Sequence, residues 1–400
     1  MKTVGIICEY NPFHFGHQGH IKKTKELLGE DVYIVCVMSG NFVQRGDFAI
    51  FNKHARAKAA VLSGADLVID LPTPYVLSSA AGYAKAGIHL LDKLGMCDYL
   101  SFGSEIGDIS LLKEMVEVIT SEKAQVLIKE WLSTGVSYAV AQQKAAYNLM
   151  GRASWILKSP NNVLGVEYLK ALSESNSKMQ PITVLRTGGD HDSDTGYSAS
   201  AVRSMMLNGK IPSDLMPESV INVLKEEIKL GRGPVSMEKA EHIMMSRLRN
   251  IEDFSNVPGA SDGLDRRLAK FVAFEPTFNS LIHAVKTRRY VMSRIRRTLF
   301  CAALGITLDD VSKPPPYLRQ LAVNNRGINV LVKSKKVREL PIIVKPATAK
   351  KLCEFSQRVF DIDVKATDFY SLLYDESERS GGKEWRQTPR AIHWDYDVVR

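Results

Sequence analysis

Cysteine is scarce in this 400-residue chain: its five copies (Cys8, Cys36, Cys97, Cys301, Cys353) are scattered, odd in number and without a Cys-x-x-Cys pair. That spacing excludes a disulfide framework and a cysteine-built zinc site, and it points to free thiols in a reducing cytoplasm. No run of about 18 uncharged apolar residues occurs, so no membrane span is expected. A secretory signal core is missing too, because the short apolar run Val4–Cys8 is broken at once by Asn11, Pro12 and His14. No internal repeat is apparent. Apolar residues make up 45% and charged residues 24%, an ordinary globular balance that excludes disorder, collagen or coiled coil as a description of the whole chain. At roughly 100–200 residues per domain, the length suggests two domains.

What is present in excess is positive charge, +9 overall, and it is unevenly placed. Residues 281–300 hold Lys286, Arg288, Arg289, Arg294, Arg296 and Arg297 with no acid. Residues 313–351 hold ten basic residues, Lys333, Lys335 and Lys336 among them, against Glu339 alone. The remainder of the chain is therefore net acidic. A single basic run is best read as a solubilising face. Two runs in one half, with Tyr290, Phe300 and Tyr317 among them, point to a polyanionic partner, nucleic acid.

Strand-like and helix-like segments alternate over residues 1–205, the pattern of a parallel sheet with crossover helices. Strands are expected at Val4–Cys8, Tyr33–Met38, Leu67–Leu71, Tyr99–Phe102 and Ile182–Arg186. Helices are expected at Gly16–Leu28, Lys53–Ser63, Ser78–Leu94, Ile109–Trp131, Val136–Met150 and Val163–Leu172, with another starting near Ser200. Past the breakers Gly209, Pro212 and Pro217 the pattern turns helical: Ser219–Leu230, Ser236–Arg249, Asp262–Ala273 and Phe278–Ala303. One or two strands are possible at Gly327–Val332 and Pro341–Val344. The expected architecture is a Rossmann-like α/β domain over 1–205, followed by a mostly helical basic domain over 206–400.

The segment Glu9-Tyr10-Asn11-Pro12-Phe13-His14-Phe15-Gly16-His17 follows the first strand and opens a helix. Ligands of open α/β sheets bind at the carboxyl ends of strands, and a helix N-terminus offers unpaired N–H groups to phosphate. Pro12 stiffens the loop, Gly16 permits close approach, and His14 and His17, three apart, can face one bound group. Imidazoles placed there can donate to a phosphate whose charge grows during displacement. A lone histidine is more often structural; two in His-x-Gly-His spacing at a strand-to-helix turn are not.

This segment resembles the signature of the nucleotidylyltransferase superfamily. The stretch Ser198-Ala199-Ser200-Ala201-Val202-Arg203 occupies the place of that superfamily's second, serine- and arginine-containing element. Ser198 and Ser200 can cap a helix or bind phosphate, and Arg203 can hold a leaving diphosphate. Together with Val37–Gly46, Asp66–Pro72, Phe102–Glu105 and Ser159–Gly165, the N-terminal run is similar to the bacterial tRNA(Met) cytidine acetate ligase family. The resemblance spans most of residues 1–205 and, less specifically, the basic remainder.

The resemblance implies a cytoplasmic enzyme that uses ATP with Mg²⁺ and acetate to form acetyladenylate. It then acetylates N4 of the wobble cytidine of elongator tRNA(Met). His14, His17 and Arg203 are implied as catalytic residues. The implied ATP site comprises Ile7, Cys8, Glu9, Tyr10, Asn11, Pro12, Phe13, His14, Phe15, Gly16, His17, Gln18, Gly19 and His20, together with Gly103, Asn161, Asn162, Arg186, Ser198 and Ser200. Read without the resemblance, Gly103 is a strand-end turn, the Asn161-Asn162 pair a helix cap, and Arg186 a surface ion-pair candidate. Glu9 has three readings: structural, an acceptor from ribose, or a partner of Mg²⁺. The turns Gln44–Asp47 and Gly188–Asp192 are rich in functional residue types, but no dedicated metal site is assigned. Two other functions fit parts of the pattern. A nucleotidylyltransferase for a small metabolite would leave the basic half without a purpose. A non-catalytic nucleotide-sensing RNA-binding protein would not need His14, Gly16, His17 and Arg203 intact.

Overall fold

The computed structural model describes residues 2–186, 199–376 and 381–392. Its centre is an eight-stranded mixed sheet. Five parallel strands come from the first half: β1 (Lys2–Cys8), β2 (Val32–Ser39), β3 (Leu67–Leu71), β4 (Tyr99–Ser104) and β5 (Gln180–Leu185), in the order 3-2-1-4-5. The inner strands β2 and β3 are buried almost without alternation, because both their faces are covered. Val35, Cys36 and Val37, successive residues of β2, are all fully buried.

The second half completes this sheet. Strand β6 (Leu318–Asn324) pairs antiparallel with β3, setting Leu67 against Val323 and Asp70 against Arg319. The short strands β7 (Ile342–Ile343) and β8 (Arg390–Ile392) then pair with β6 in parallel. The expected division at residue 205 therefore does not divide the sheet.

A buried ionic cluster lies on this seam. Lys53 Nζ is 2.6 Å from Asp70 Oδ2 and 2.9 Å from Glu384 Oε2, and Arg319 Nε is 3.3 Å from Glu384 Oε1. Removing one member would strand a charge in the interior, costing about 3–5 kcal/mol, so the two halves are locked by mutual need.

Several expected elements differ. Ile109–Trp131 is two helices, Ile109–Thr120 and Glu122–Ser133, because Ser121 leaves helical geometry and caps the second. Phe278–Ala303 is likewise two, Phe278–Val285 and Met292–Leu304. Between them Thr287 Oγ1 accepts the N–H groups of Arg289 and Tyr290, closing a turn that carries Lys286, Arg288 and Arg289. Gly327–Val332 is not a strand but part of the helix Asn325–Ser334. Asn324 Oδ1 caps it by accepting Gly327 N–H at 2.9 Å, and the strand lies just upstream. The helix expected at Val163 begins at Pro160, which places Asn161 and Asn162 in its first turn. No described helix is long and apolar enough to cross a membrane.

Candidate active site

In a 3-2-1-4-5 sheet the connections leave β1 and β4 in opposite directions, which opens a crevice at their carboxyl ends. The His-containing loop sits at that end of β1. Tyr10 takes a left-handed backbone with φ +44, unusual for a large side chain. Ile7, Tyr10 and Phe13 are 8%, 2% and 0% exposed. Their side chains belong to the core, so within the stretch Ile7–His20 they offer a ligand only backbone. Phe15 is exposed, and Gln18 and Gly19 are half-buried on the following helix.

His14 and His17 bind each other's backbone surroundings reciprocally. His14 Nδ1 accepts Gly16 N–H at 3.0 Å, and His17 Nδ1 accepts His14 N–H at 3.2 Å. This is a capping box built from two imidazoles on the helix Phe15–Leu28. Because each Nδ1 is an acceptor, each neutral ring carries its proton on Nε2. The ring centroids lie 3.8 Å apart with the planes tilted by 35°. Gly16 is required by this arrangement: a Cβ there would lie 2.7 Å from His14 Cε1. Its first service is therefore to the histidine, whatever it offers a ligand.

Arg56, which the local motifs gave no reason to single out, anchors the loop from below. Its guanidinium donates to Phe51 O at 2.9 Å and Ser39 O at 3.0 Å, and also to the carbonyls of Glu9 and Gly40. It thereby joins the ends of β1 and β2. Asn11 Oδ1 accepts Ile50 N–H at 2.9 Å, and Arg203 Nη1 donates to Asn11 O at 3.0 Å. Arg203 Nη2 also donates to Ser200 Oγ at 2.9 Å, so the second motif touches the first. Ser198 lies outside the described residues, as do Gly188–Asp192.

Glu9 Oε1 accepts Gln44 N–H at 2.7 Å. Burial raises its pKa above the ordinary carboxylate value, opposed by that hydrogen bond and by Arg203, Arg56 and Arg45. Of the three readings of Glu9, a structural role is what this contact supplies.

The other wall belongs to β4 and β5. A Cβ on Gly103 would lie 3.0 Å from Arg186 Cγ, so the arginine stem crosses the glycine. His20 Nε2 and Ser101 Oγ share a hydrogen bond of 2.9 Å. Burial, aided by Arg186, pushes the His20 imidazole down to about 4, so it is neutral at pH 7. Asn161 and Asn162 meet Glu105, a residue that carried no expected role. Glu105 accepts the N–H groups of both, at 3.2 and 2.8 Å, and Asn161 Nδ2 at 2.6 Å. In return Asn162 Oδ1 accepts Glu105 N–H at 2.9 Å and Ile106 N–H at 3.2 Å. The helix N-terminus is thus already served by a carboxylate. Asn162 Nδ2 is buried with no hydrogen-bond partner among the described residues.

The basic residues fall into two groups at opposite ends of the sheet. Lys286, Arg288 and Arg289 are exposed on the turn before Met292–Leu304. Arg294 is occupied internally by Gly259 O, Ser261 and Asp262, at 2.9–3.0 Å. Arg296 pairs with Asp47 at 3.6 Å, and Arg297 reaches Gln44 O at 3.5 Å. Burial brings Arg297 down to about 10. Lys333, Lys335 and Lys336 are exposed beside Val337 and Glu339, which meet Gly95 and Lys93 ahead of β4. That is the far end of the sheet from His14. Among the described residues no group of three or more His, Cys, Asp or Glu could hold a metal ion.

The HIGH Nucleotidyl Transferase family model matches residues 1–384. The chain is 36% identical to the tRNA(Met) cytidine acetate ligase of Acetivibrio thermocellus, covering 97% of this chain and 99% of that one. It is 34% identical to the protein of the same name from Thermosipho africanus, again over 97% and 99%. The crystal structure of apo Thermotoga maritima TmcAL superposes with a TM-score of 0.93 at 29% identity, covering 98% of this chain and all of that one. A second crystal form of that protein, bound with alpha-thio ATP, superposes with a TM-score of 0.90 at 31% identity and 98% coverage. With its histidine capping box at the end of β1 and relatives matched along nearly their whole length, this chain belongs to the HIGH nucleotidyl transferases and, within them, to the tRNA(Met) cytidine acetate ligase family.

Proposed function

We propose that this protein is an ATP-dependent ligase that acetylates N4 of the wobble cytidine of elongator tRNA(Met). ATP would lie across the carboxyl ends of β1 and β4. Acetate oxygen attacks the α-phosphorus and diphosphate leaves, giving acetyladenylate. The cytidine N4 then attacks the acetyl carbon, AMP leaves, and N4 loses a proton. No protein nucleophile is needed, since acetate supplies one and the protein's task is positioning and charge stabilisation.

The observation that carries this reading is the reciprocal bonding of His14 and His17. It commits both Nδ1 atoms to the backbone, which places the proton of each neutral ring on Nε2. Two preorganised neutral donors suit a phosphorus centre whose oxygens gain charge in the transition state. Arg203 adds a positive charge held against the same loop. Mg²⁺ would enter with ATP, held mainly by its phosphates.

The basic turn Lys286–Arg289 and the Arg296 face are the proposed tRNA contacts on the side of the crevice. The wobble base lies in a single-stranded loop, so it reaches a pocket without opening a duplex. The test is incubation with ATP and radiolabelled acetate, with and without tRNA(Met). Labelled N4-acetylcytidine in the tRNA, with AMP and diphosphate released, is expected. Transfer of adenylate to a phosphorylated metabolite, without label in RNA, would overturn the reading.

A further inference from the structure

Between the basic helix and the histidine loop lies one short turn, and its contacts form an unbroken path. Gly46 has φ +76, and a Cβ there would lie 2.6 Å from the Arg297 backbone nitrogen and 2.8 Å from Arg296 Cβ. The turn is therefore pressed against the first turns of Met292–Leu304. Two polar contacts fasten it there, Arg296 to Asp47 at 3.6 Å and Arg297 to Gln44 O at 3.5 Å. On its other side the turn donates Gln44 N–H to the Glu9 carboxylate at 2.7 Å. Glu9 is the first residue after β1, five positions before His14.

We infer that the Gln44–Asp47 turn couples RNA bound on the basic helix to nucleotide bound at the histidine loop. This rests on the proposed function. Its physical basis is ordering. RNA phosphates that immobilise the helix N-terminus also immobilise the turn packed on it, and a fixed Gln44 N–H holds Glu9 and the loop that follows. The residual motion of a loop damped from the turn in this way costs less to remove around ATP, so the two ligands favour one another. Such coupling is reciprocal by thermodynamic necessity: each ligand tightens the other by the same factor. Gln44 and Gly46 are positioning residues here, not catalytic ones.

The experiment is a binding cycle on the full chain. The probes are α,β-methylene-ATP, which cannot be cleaved at the reacting bond, and a tRNA(Met) transcript. Each affinity is measured with and without the other ligand. For the unaltered protein a mutual tightening of about 5- to 150-fold is expected. Gly46→Ala, which collides with the helix, should bring the factor close to one while either ligand alone binds within a few-fold of normal. Asp47→Asn keeps the Oδ1 that accepts Phe48 N–H at 2.8 Å and removes only the charge facing Arg296, so it serves if the alanine variant does not fold. It should lower the factor, and Asp47→Glu should restore part of it. A factor of one in the unaltered protein, or an undiminished factor in the folded variants, overturns the inference while leaving the enzymatic reading intact. Failure of the unaltered protein to bind tRNA overturns both.

Discussion

The histidine loop and the basic surface are opposite kinds of site. In the loop the polar contacts are fixed inside the protein. Nδ1 of His14 and His17 serve the backbone, and Arg56 collects carbonyls from two strand ends. The basic surface is held by almost nothing: Lys286, Arg288 and Arg289 stand exposed on a turn. The contrast suits the two proposed tasks. Stabilising a transition state requires donors already in place, whereas attracting a polyanion requires charge, which acts through water over about a Debye length and tolerates motion. The loop is accordingly expected to fail abruptly on single changes and the surface to fail by degrees.

The largest effect is expected at His17. Replacing it with Asn keeps an acceptor for His14 N–H but removes the Nε2 donor. Steady-state assays should show turnover lowered by about 10²–10³-fold, as when one preorganised donor is lost, with ATP affinity little changed. Near-normal turnover would mean that the capping box is purely structural, and the contrast between the two regions would disappear.

Next come the two basic groups, best compared with each other. Converting Lys286, Arg288 and Arg289 to Gln should weaken tRNA binding and lower the salt slope by up to about three units, one per lost phosphate contact. The same change at Lys333, Lys335 and Lys336, at the far end of the sheet, should have a smaller effect. Equal losses would extend the RNA footprint around the whole sheet. Neutralising Arg294, Arg296 and Arg297 is a poorer probe, because each bonds within the protein.

The smallest effect at neutral pH concerns His20. Its imidazole is held down to about 4 by burial, below the unfolded value of about 6.5. The unfolded chain therefore binds the extra proton first, and this residue makes stability rise with pH between about 4 and 6.5 and leaves it level above. His20→Asn should flatten urea midpoints across that window and change little at pH 7. His54, pushed down to about 3 by burial, keeps its own acid dependence in the variant.

The sequence by itself determined what depends on near neighbours. Three-residue spacing put His14 and His17 where each could reach the other's turn, and the run Tyr33–Met38 could only be a strand covered on both faces. The strand-then-helix order likewise placed the motif at a carboxyl end. Tertiary structure decided whatever joins distant stretches. Arg56 lies 47 residues from the carbonyl of Glu9 that it holds, Glu105 lies 56 from Asn161, and Arg203 lies 192 from Asn11. No local pattern announces such partners, because an arginine that gathers carbonyls and one that meets water look alike along the chain. The same holds for the basic runs, which appear as one charged half until β6 reverses direction and carries Lys333–Lys336 to the far end of the sheet. Periodicity and capping act within a turn or two. The partners of buried polar groups are chosen by topology, because only the closed sheet brings the groups within reach and excludes the water that would otherwise satisfy them.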